Sequence, residues 1–257
     1  MRHLRELGIS QAAVLVVDNR TRAIEAYVGS ADFQDAASQG QVDGVRAVRS
    51  PGSTLKPFLY ALAVDRGIIT PKPKLPGVPT NFSGFRPENF DKSCAGEVTV
   101  ERALTHSLNI PAVRVLAEVG VPVFTDKLRA AGFKSVAKAA PRLGLSTILG
   151  GCGATLEELT GLYAALADGR NYQPLHGATP IDQKNSTLKI QPSKLLFSHA
   201  AAFLITNILA QRTRPDLPMG YENSRHLPKI AWKTGISYGR RDAWSIGPGL
   251  YHRCVGG

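Results

Sequence analysis

The stretch that decides the fold reads Ser50-Pro51-Gly52-Ser53-Thr54-Leu55-Lys56-Pro57, and the apolar residues 58–64 follow it directly. Pro51 and Gly52 favour a turn, and the residues after them have the periodicity of an amphipathic helix of about four turns. Pro57 falls in the first turn of that helix, where its missing N–H costs little. We therefore predict a helix that begins beside Ser53.

Ser53 and Lys56 are three residues apart, so a helix places both side chains on one face, where the amine can reach the hydroxyl. Crowding and a neighbouring positive charge would lower the pKa of that lysine enough for it to accept the serine proton. The helix N-terminus also offers N–H groups and partial positive charge to a reacting group. The pattern predicts a serine that can be acylated.

The same Ser-x-x-Lys spacing occurs twice more, in Ser135-Val136-Ala137-Lys138 and Ser186-Thr187-Leu188-Lys189. The first lies in a short stretch that ends at Pro141, and the second reads as a short strand stopped by Pro192. Neither follows a Pro-Gly turn or opens a long helix. We interpret both lysines as solvated surface residues.

Composition describes a folded globular protein. The chain has 257 residues, of which 43% are hydrophobic and 20% charged, with a net charge of +11. This charge favours a polyanionic neighbour, such as nucleic acid, anionic lipid or an acidic wall polymer. Because the basic residues are scattered along the sequence, a nucleic-acid partner is not expected.

Several classes of site and segment are not expected. No apolar run reaches the roughly 18–20 residues that span a bilayer, and the first seven residues are too polar for a signal peptide. The chain is thus either cytosolic or a piece of a longer protein. Three cysteines and six histidines show no metal-ligand spacing, so neither a metal site nor a cofactor is predicted.

The remaining pattern predicts strands at both ends of the chain and helices between them. Residues 1–11 read as a linker remnant, and 12–257 as one domain. The predicted elements are a hairpin of strands 12–17 and 23–28, a long loop 68–97, helices 98–106, 111–118, 122–131, 155–168 and 197–212, and strands 230–237 and 243–247. Gly144 to Gly153 read as a tight turn between helices. One antiparallel sheet built from both chain ends is expected.

Two further motifs accompany the serine. Ser107-Leu108-Asn109 lies between two helical segments, and Lys233-Thr234-Gly235 lies on a strand, where glycine permits close approach of a substrate backbone. The order Ser-x-x-Lys, Ser-x-Asn, Lys-Thr-Gly resembles the motif set of penicillin-binding proteins and serine β-lactamases. Longer segments resemble the transpeptidase domain of class A penicillin-binding proteins, of the 1C type: residues 50–57, 107–113, 148–156, 238–244 and Asn89-Phe90-Asp91.

This resemblance implies an α/β (α+β) fold of the β-lactamase/transpeptidase type, with a five-stranded antiparallel sheet flanked by helices plus an all-helical half. It implies a D,D-transpeptidase that acts on the D-Ala-D-Ala end of peptidoglycan stem peptides and binds β-lactam antibiotics covalently. Its site would face the periplasmic side of the bacterial inner membrane. Membrane attachment would come only from an upstream segment, which full-length relatives carry together with a glycosyltransferase domain.

The resemblance also implies residue roles. Ser53 would attack the substrate carbonyl, with Lys56 as general base, although the identity of that base is disputed in the wider family. Ser107, with Lys233 nearby, would relay the proton to the leaving amine, and Asn109 would hold Lys56 and the substrate amide. Substrate binding would fall to Thr234, Gly235, Ile236 and Ser237, with the backbone N–H groups of Ser53 and Ile236 as oxyanion hole.

Other functions stay open at this point. A β-lactamase needs a glutamate-activated water, and the pair Glu157-Glu158 sits in a regular helix, which disfavours it. A D,D-carboxypeptidase differs only in using water as acceptor. A catalytically weakened penicillin-sensing or scaffold domain is the third alternative.

Two departures from the family pattern support that third alternative. Relatives usually have threonine where Ile236 stands, and residues 248–257 carry proline and glycines where a strand is expected, so the C-terminal end reads as truncated or aberrant. Cys94 and Cys152 are either a disulfide pair or two unrelated small residues.

Overall fold

The protein has an α+β fold. The computed structural model describes residues 6, 9–70, 74–78, 80–82, 84–89, 96–169, 171–177, 194–211, 230–237 and 242–247. The strands are β1 (Val14–Val17), β2 (Ile24–Val28), β3 (Lys74–Pro76), β4 (Glu97–Thr99), β5 (Asn171–Tyr172), β6 (Lys194–Leu195), β7 (Lys233–Ile236) and β8 (Ala243–Ile246). The helices are α1 (Lys56–Asp65), α2 (Val100–Thr105), α3 (Asn109–Val119), α4 (Val121–Ala130), α5 (Lys134–Ala139), α6 (Leu156–Asp168) and α7 (His199–Leu209).

Helix α1 lies where the sequence predicts a helix, but it has ten residues, fewer than the four turns expected, and it is buried instead of amphipathic. A 3-10 turn, Gly52–Leu55, carries Ser53 and runs directly into α1, which begins at Lys56 with Pro57 in its first turn. Residues 56–63 are all buried, because α1 packs against both α3 and α7. A helix enclosed in this way holds the groups at its N-terminus rigidly.

The strands at the two chain ends form two separate hairpins. Strand β1 pairs with β2 and β7 pairs with β8, both antiparallel, and this confirms the strands that the sequence predicts there. The expectation of one continuous sheet is wrong for the described residues, since no backbone ladder joins β1–β2 to β7–β8. Helix α6 packs against both β1 and β8 and thereby links the hairpins.

Two expected boundaries are also corrected. Residues 97–99 form strand β4 instead of opening a helix, because they pair with β3, a short strand within the segment predicted as a loop. The helix then begins at Val100, where the Thr99 hydroxyl accepts a hydrogen bond from the Arg102 N–H and caps it.

Helix α6, which lies within the helix predicted over residues 155–168, begins with a capping box. Thr155 accepts from the Glu158 N–H at 3.1 Å, and the Glu158 carboxylate accepts from the Thr155 N–H at 2.9 Å. The second oxygen of the Glu158 carboxylate accepts from the Lys134 N–H at 2.8 Å, which ties α5 to the start of α6. Both oxygens of Glu158 are therefore occupied by backbone donors.

Several sequence predictions fall outside the described residues. These are the second Ser-x-x-Lys repeat at 186–189, Cys94, residues 238–241 and the C-terminal residues 248–257. Cys152 is described and has a free thiol, whose pKa burial raises to about 12. It therefore forms no disulfide in this structure. Lys138 of the first repeat is exposed on the short helix α5, in agreement with its interpretation as a surface residue.

Candidate active site

The turn that carries Ser53 is anchored from two sides. Arg49 and Ala154 exchange two backbone hydrogen bonds of 2.9 Å, and the Ser50 hydroxyl donates to the Gly150 carbonyl at 2.8 Å. From the other side, the Trp244 indole N–H donates to the Ser50 carbonyl at 2.8 Å. The turn is thus fixed between strand β8 and the loop that precedes α6.

Two further hydrogen bonds, which end on backbone carbonyl groups of Pro51 and Thr54, hold the turn in place. The Thr54 hydroxyl donates to the Pro51 carbonyl at 2.8 Å, and the Tyr163 hydroxyl of α6 donates to the Thr54 carbonyl at 2.8 Å. Tyr163 also packs edge to face on Phe58, with ring centroids 4.9 Å apart. These contacts leave Ser53 half-buried at a rigid corner of the molecule.

Glycine at two positions lets the turn touch strand β7. Gly52 has φ +55°, and a Cβ there would lie 2.3 Å from the Ile236 carbonyl oxygen. A Cβ on Gly235 would lie 2.8 Å from the Pro51 carbonyl oxygen and 3.1 Å from the Ser53 nitrogen. Any larger residue would push the two segments apart, so the glycines bring the backbone of Ser53 against that of Ile236.

Lys56 lies at the centre of the site. Its side chain is fully buried, and in the described part of the chain its amine makes three hydrogen-bond contacts with oxygen atoms. Two of them are 2.7 Å long, to the Ser107 carbonyl and to Asn109 Oδ1, and the third, to the Ser107 hydroxyl, is 3.5 Å. Burial, and secondarily the charge of Lys233, hold the pKa of Lys56 well below its ordinary value. A lowered pKa favours the neutral amine that a general base requires.

Ser107 is held in a backbone conformation that serine rarely adopts. It has φ +53°, at the C′ position of a Schellman motif that ends α2. The Ser107 N–H donates to the Leu104 carbonyl and the Leu108 N–H to the Ala103 carbonyl. Glycine is usual at this position. A serine here turns both its carbonyl and its hydroxyl toward the buried lysines.

Lys233 approaches Ser107 from the opposite side. Its amine donates to the Ser107 hydroxyl at 2.8 Å and to the Thr234 carbonyl at 2.8 Å, and its side chain is 1% exposed. The Ser107 hydroxyl therefore lies between two lysine amines. Such a chain of polar hydrogens can carry a proton from one heavy atom to the next.

Strand β7 presents its other side chains differently. Lys233 and Gly235 are buried, whereas Thr234 and Ile236 are exposed, with Ile236 at 48%. Ser237 is buried, and its hydroxyl accepts from the Asp242 N–H at 2.8 Å while its own N–H donates to the Asp242 carbonyl. These two bonds extend the β7–β8 pairing by one position. The Ser237 side chain is therefore occupied within the fold.

Some functional positions were not predicted from the sequence. Asn89 was used only as a family marker, yet it is 4% exposed and its Oδ1 accepts from the N–H groups of Asn109 and Ile110. The sequence pattern also assigns no role to Trp244, whose indole anchors the turn before Ser53. A signal for Asn89 exists, since the side-chain oxygen of an asparagine in a loop commonly accepts hydrogen bonds from backbone N–H groups. His106, adjacent to Ser107, is exposed.

No group of three or more His, Cys, Asp or Glu side chains in the described segments could hold a metal ion. In those segments, the helices are also too short or too polar to cross a membrane.

The sequence matches one family over most of its length. Residues 12–239 match the family described as the penicillin binding protein transpeptidase domain. The chain is 41% identical over 246 residues to penicillin-binding protein 1C of Escherichia coli, a match that covers 93% of this chain and 30% of that protein. It is 30% identical to penicillin-binding protein 1A of Neisseria meningitidis, a match that covers 92% of this chain and 31% of that protein. The chain thus spans under a third of the length of these curated relatives.

Solved structures share the fold. Penicillin-binding protein 1A from Haemophilus influenzae matches with a TM-score of 0.74 at 21% identity, covering 92% of this chain and 41% of that one. The PonA1 protein from Mycobacterium tuberculosis, in complex with penicillin V, matches with a TM-score of 0.73 at 20% identity, covering 96% and 70%.

Proposed function

Because the chain belongs to the penicillin-binding protein transpeptidase domain family, we propose that it is a serine D,D-transpeptidase that cross-links peptidoglycan stem peptides. One observation carries the proposal. Lys56, fully buried beside the Ser53 turn, is hydrogen-bonded to both Ser107 and Asn109, and Lys233 bonds to the same Ser107 hydroxyl. Three motifs distant in the sequence thus meet at one point.

In the first step, Ser53 Oγ attacks the carbonyl between the two D-alanines. The Oγ–C bond forms as the proton of Ser53 passes to the neutral amine of Lys56. The C–N bond to the terminal D-alanine then breaks, and its nitrogen receives a proton through the Ser107 hydroxyl. In the second step, an amine of another strand attacks the ester carbonyl, so that an N–C bond forms and the Oγ–C bond breaks. A proton of that amine passes through Lys56 to Ser53 Oγ, which releases Ser53 and completes the cross-link.

Binding of the substrate rests on strand β7. The cation of Lys233 and the exposed hydroxyl of Thr234 suit the terminal carboxylate. The backbone N–H groups of Ser53 and Ile236 belong to segments that touch, and they suit the developing oxyanion. Such a donor contributes about 3–4 kcal/mol in other serine acyl enzymes. Gly235 keeps the strand close to the turn, whereas Ser237, whose hydroxyl is bonded to Asp242, supports the strand pairing.

The acceptor distinguishes the proposal from its nearest alternatives. A β-lactamase would need a carboxylate free to activate water, but both oxygens of Glu158 accept hydrogen bonds from backbone N–H groups. A D,D-carboxypeptidase would use the same acylation machinery with water as acceptor. We place the reaction on the outer face of the bacterial membrane, where peptidoglycan lies, and expect the +11 charge to favour that anionic surrounding.

Labelling with a fluorescent penicillin tests the acylation half of the proposal. We expect a long-lived adduct on the wild-type protein and none on Ser53→Ala. Ser135→Ala is the matched control, since Ser135 has the same Ser-x-x-Lys spacing but lies on a surface helix. Persistent label on Ser53→Ala would refute the assignment of the nucleophile, and rapid turnover of the adduct would favour a hydrolase.

A stem-peptide assay tests the acceptor. With a D-Ala-D-Ala peptide and an added amine, a transpeptidase forms the cross-linked product in preference to the free acid. Release of the free acid alone, at saturating amine, would assign a carboxypeptidase instead.

A further inference from the structure

Glu88 and Asn89 form hydrogen bonds with Asn109 and Ile110 at the start of helix α3. Asn89 Oδ1 accepts from the Asn109 N–H at 2.9 Å and from the Ile110 N–H at 3.3 Å. The Glu88 carbonyl accepts from Asn109 Nδ2 at 2.8 Å. One short stretch, about twenty residues upstream, therefore holds both the backbone and the side chain of Asn109.

The backbone bonds replace a local helix cap. The residue before α3 is Leu108, whose side chain cannot accept a hydrogen bond, so the first N–H groups of the helix need another partner. Pro111 has no N–H, which leaves Asn109 and Ile110 as the first two donors. Asn89 satisfies both from a distant part of the chain and is itself buried. The position of the α3 N-terminus thus depends on Asn89.

The side-chain bond fixes the orientation of the Asn109 amide. A carbonyl oxygen accepts only, so the group of Asn109 that faces the Glu88 carbonyl must be the NH₂. Asn109 Oδ1 then points in the other direction, to the Lys56 amine at 2.7 Å. If the α3 N-terminus shifted or rotated, the amide would lose this fixed direction.

The orientation of Asn109 determines how Lys56 can act as a base. A neutral amine has two N–H donors and one lone pair. Two acceptors at 2.7 Å, Asn109 Oδ1 and the Ser107 carbonyl, engage both donors, so the lone pair is directed away from them. A lone pair held in one direction can accept the Ser53 proton without a reorientation of the amine.

We propose that Asn89 is a positioning residue of this site, which acts through Asn109 to aim the Lys56 amine at the nucleophile. The inference rests on the proposed acylation of Ser53. Among the described residues, the charge that acts on the amine is that of Lys233, which shares the Ser107 hydroxyl with it. Glu88 takes part through its backbone carbonyl, which accepts from Asn109 Nδ2, and Glu88 itself is exposed.

Two substitutions at position 89 test the proposal. Asn89→Ala removes the acceptor, and we expect the rate of penicillin acylation to fall about tenfold or more. Asn89→Asp keeps an acceptor oxygen, so at high pH its acylation rate should be close to that of the wild type. Its added negative charge should move the acid limb of the pH–rate profile upward by about half a unit or more.

Ser198→Ala is the matched control for lost stability. Ser198 also caps a helix, α7, although as its local N-cap residue, by accepting from the Ala201 N–H at 3.1 Å, and it lies outside the proposed machinery. We expect it to lower the melting temperature about as much as Asn89→Ala while the acylation rate stays within about twofold of wild type. An Asn89→Ala variant that also acylates within twofold would overturn the positioning role.

A readout independent of catalysis separates this inference from the proposed function. In protein carrying ¹³C-labelled lysine, the titration of Lys56 can be followed by NMR. The titration midpoint should move upward in Asn89→Asp and stay in place in Ser198→Ala. An unmoved Lys56 midpoint in Asn89→Asp would overturn the inference, including when Asn89→Ala does not fold. Absence of wild-type labelling at Ser53, by contrast, would overturn the proposed function.

Discussion

At the scale of single residues, the site depends on side chains held in unfavourable settings. Lys56 is buried without a carboxylate partner in the described structure, and Ser107 has a left-handed backbone conformation. Each arrangement costs stability. Such settings concentrate where a fold positions reactive groups.

Ser107 allows that cost to be measured. Both Ser107→Gly and Ser107→Ala remove the hydroxyl, but only glycine adopts φ +53° without strain. We expect the glycine variant to be more stable than the alanine variant by about 1 kcal/mol in denaturant titrations. Both should lose acylation by about a hundredfold or more, since the proton relay is gone. Equal stability of the two variants would show that the backbone conformation of residue 107 is not strained.

The lowered pKa of Lys56 predicts a pH dependence. Burial, and then the charge of Lys233, lower this pKa, so the neutral amine prevails at a pH well below the ordinary lysine value of 10.5. The rate of penicillin acylation should therefore rise with pH through the lowered pKa, not near 10.5. An acid limb near 10 would contradict the role of Lys56 as base.

The same shift has a consequence for stability. Below the folded-state pKa, Lys56 is protonated in both states and contributes no pH dependence. Between that pKa and 10.5, unfolding takes up a proton, so the free energy of unfolding rises with pH. The difference in unfolding free energy between wild type and Lys56→Met isolates this contribution from those of other groups. If the unfolding free energy of wild type relative to that of Lys56→Met fell as the pH rose, the result would contradict a lowered pKa of Lys56.

Ile236 stands where the resemblance to the family leads us to expect a threonine. Its side chain is exposed on β7 and two residues from Thr234, so a hydroxyl there would reach the same carboxylate. Hydrogen bonds to charged groups contribute about 1.5–3 kcal/mol, so Ile236→Thr should raise the acylation rate by about 10- to 150-fold.

The melting temperature of Ile236→Thr should move by no more than about 2 °C, since threonine keeps the β-branched shape. Stopped-flow acylation by penicillin measures the rate. An unchanged or slower rate would show that position 236 does not limit the site.

At the scale of elements, the site is the junction of the Ser53 turn with strand β7. Gly235→Ala would place a methyl group 2.8 Å from the Pro51 carbonyl oxygen and from Thr54 Cγ2. We expect a loss of about 1–3 kcal/mol in unfolding free energy. Acylation should slow by about a hundredfold, because the two oxyanion donors move apart.

Gly144→Ala is the control for this substitution, because a Cβ at Gly144 meets no atom within 4 Å and its φ is −126°. Its melting temperature and acylation rate should both stay close to wild type. If Gly235→Ala behaved like Gly144→Ala, the turn and the strand would not be in the close contact that the structure describes.

At the scale of the whole molecule, Arg22 links the N-terminal hairpin to the helical part. It is 1% exposed, and it donates to Asp168 Oδ2 at 3.3 Å and to the Asn171 carbonyl at 3.2 Å. Its Nε and Nη1 atoms have no hydrogen-bond partner among the described residues. Burial lowers the pKa of Arg22, and the charge of Asp168 opposes that shift.

This arrangement predicts an asymmetry between two substitutions. Asp168→Asn leaves a buried cation without its counter-ion and should cost about 1–2 kcal/mol of unfolding free energy, since Asp168 itself is partly exposed. Arg22→Met removes the cation together with its desolvation and should cost less. Urea titrations of both variants measure this. A larger loss for Arg22→Met would contradict the burial penalty.

The amino-acid sequence determined the local elements and the order of the motifs. The hairpin of β1 and β2, the turn before Ser53, helix α1 and the capping box at Thr155 all follow from interactions within a few residues. Such interactions are encoded in short patterns of polarity, proline and glycine. The resemblance of the three motifs to penicillin-binding proteins is likewise a property of the sequence, and the family match over residues 12–239 confirms it.

Only the tertiary structure decided how these pieces meet. It brought Ser107 to Lys56 across 51 residues and Lys233 to Ser107 across 126. Within the described residues, it also kept apart the two hairpins that the pattern placed in one sheet. It also gave Asn89 its contact with Asn109. Contacts of this kind depend on how buried faces pack and on which backbone donors lack a local partner. The spacing of neighbouring residues in the sequence predicts neither the packing nor the missing partners.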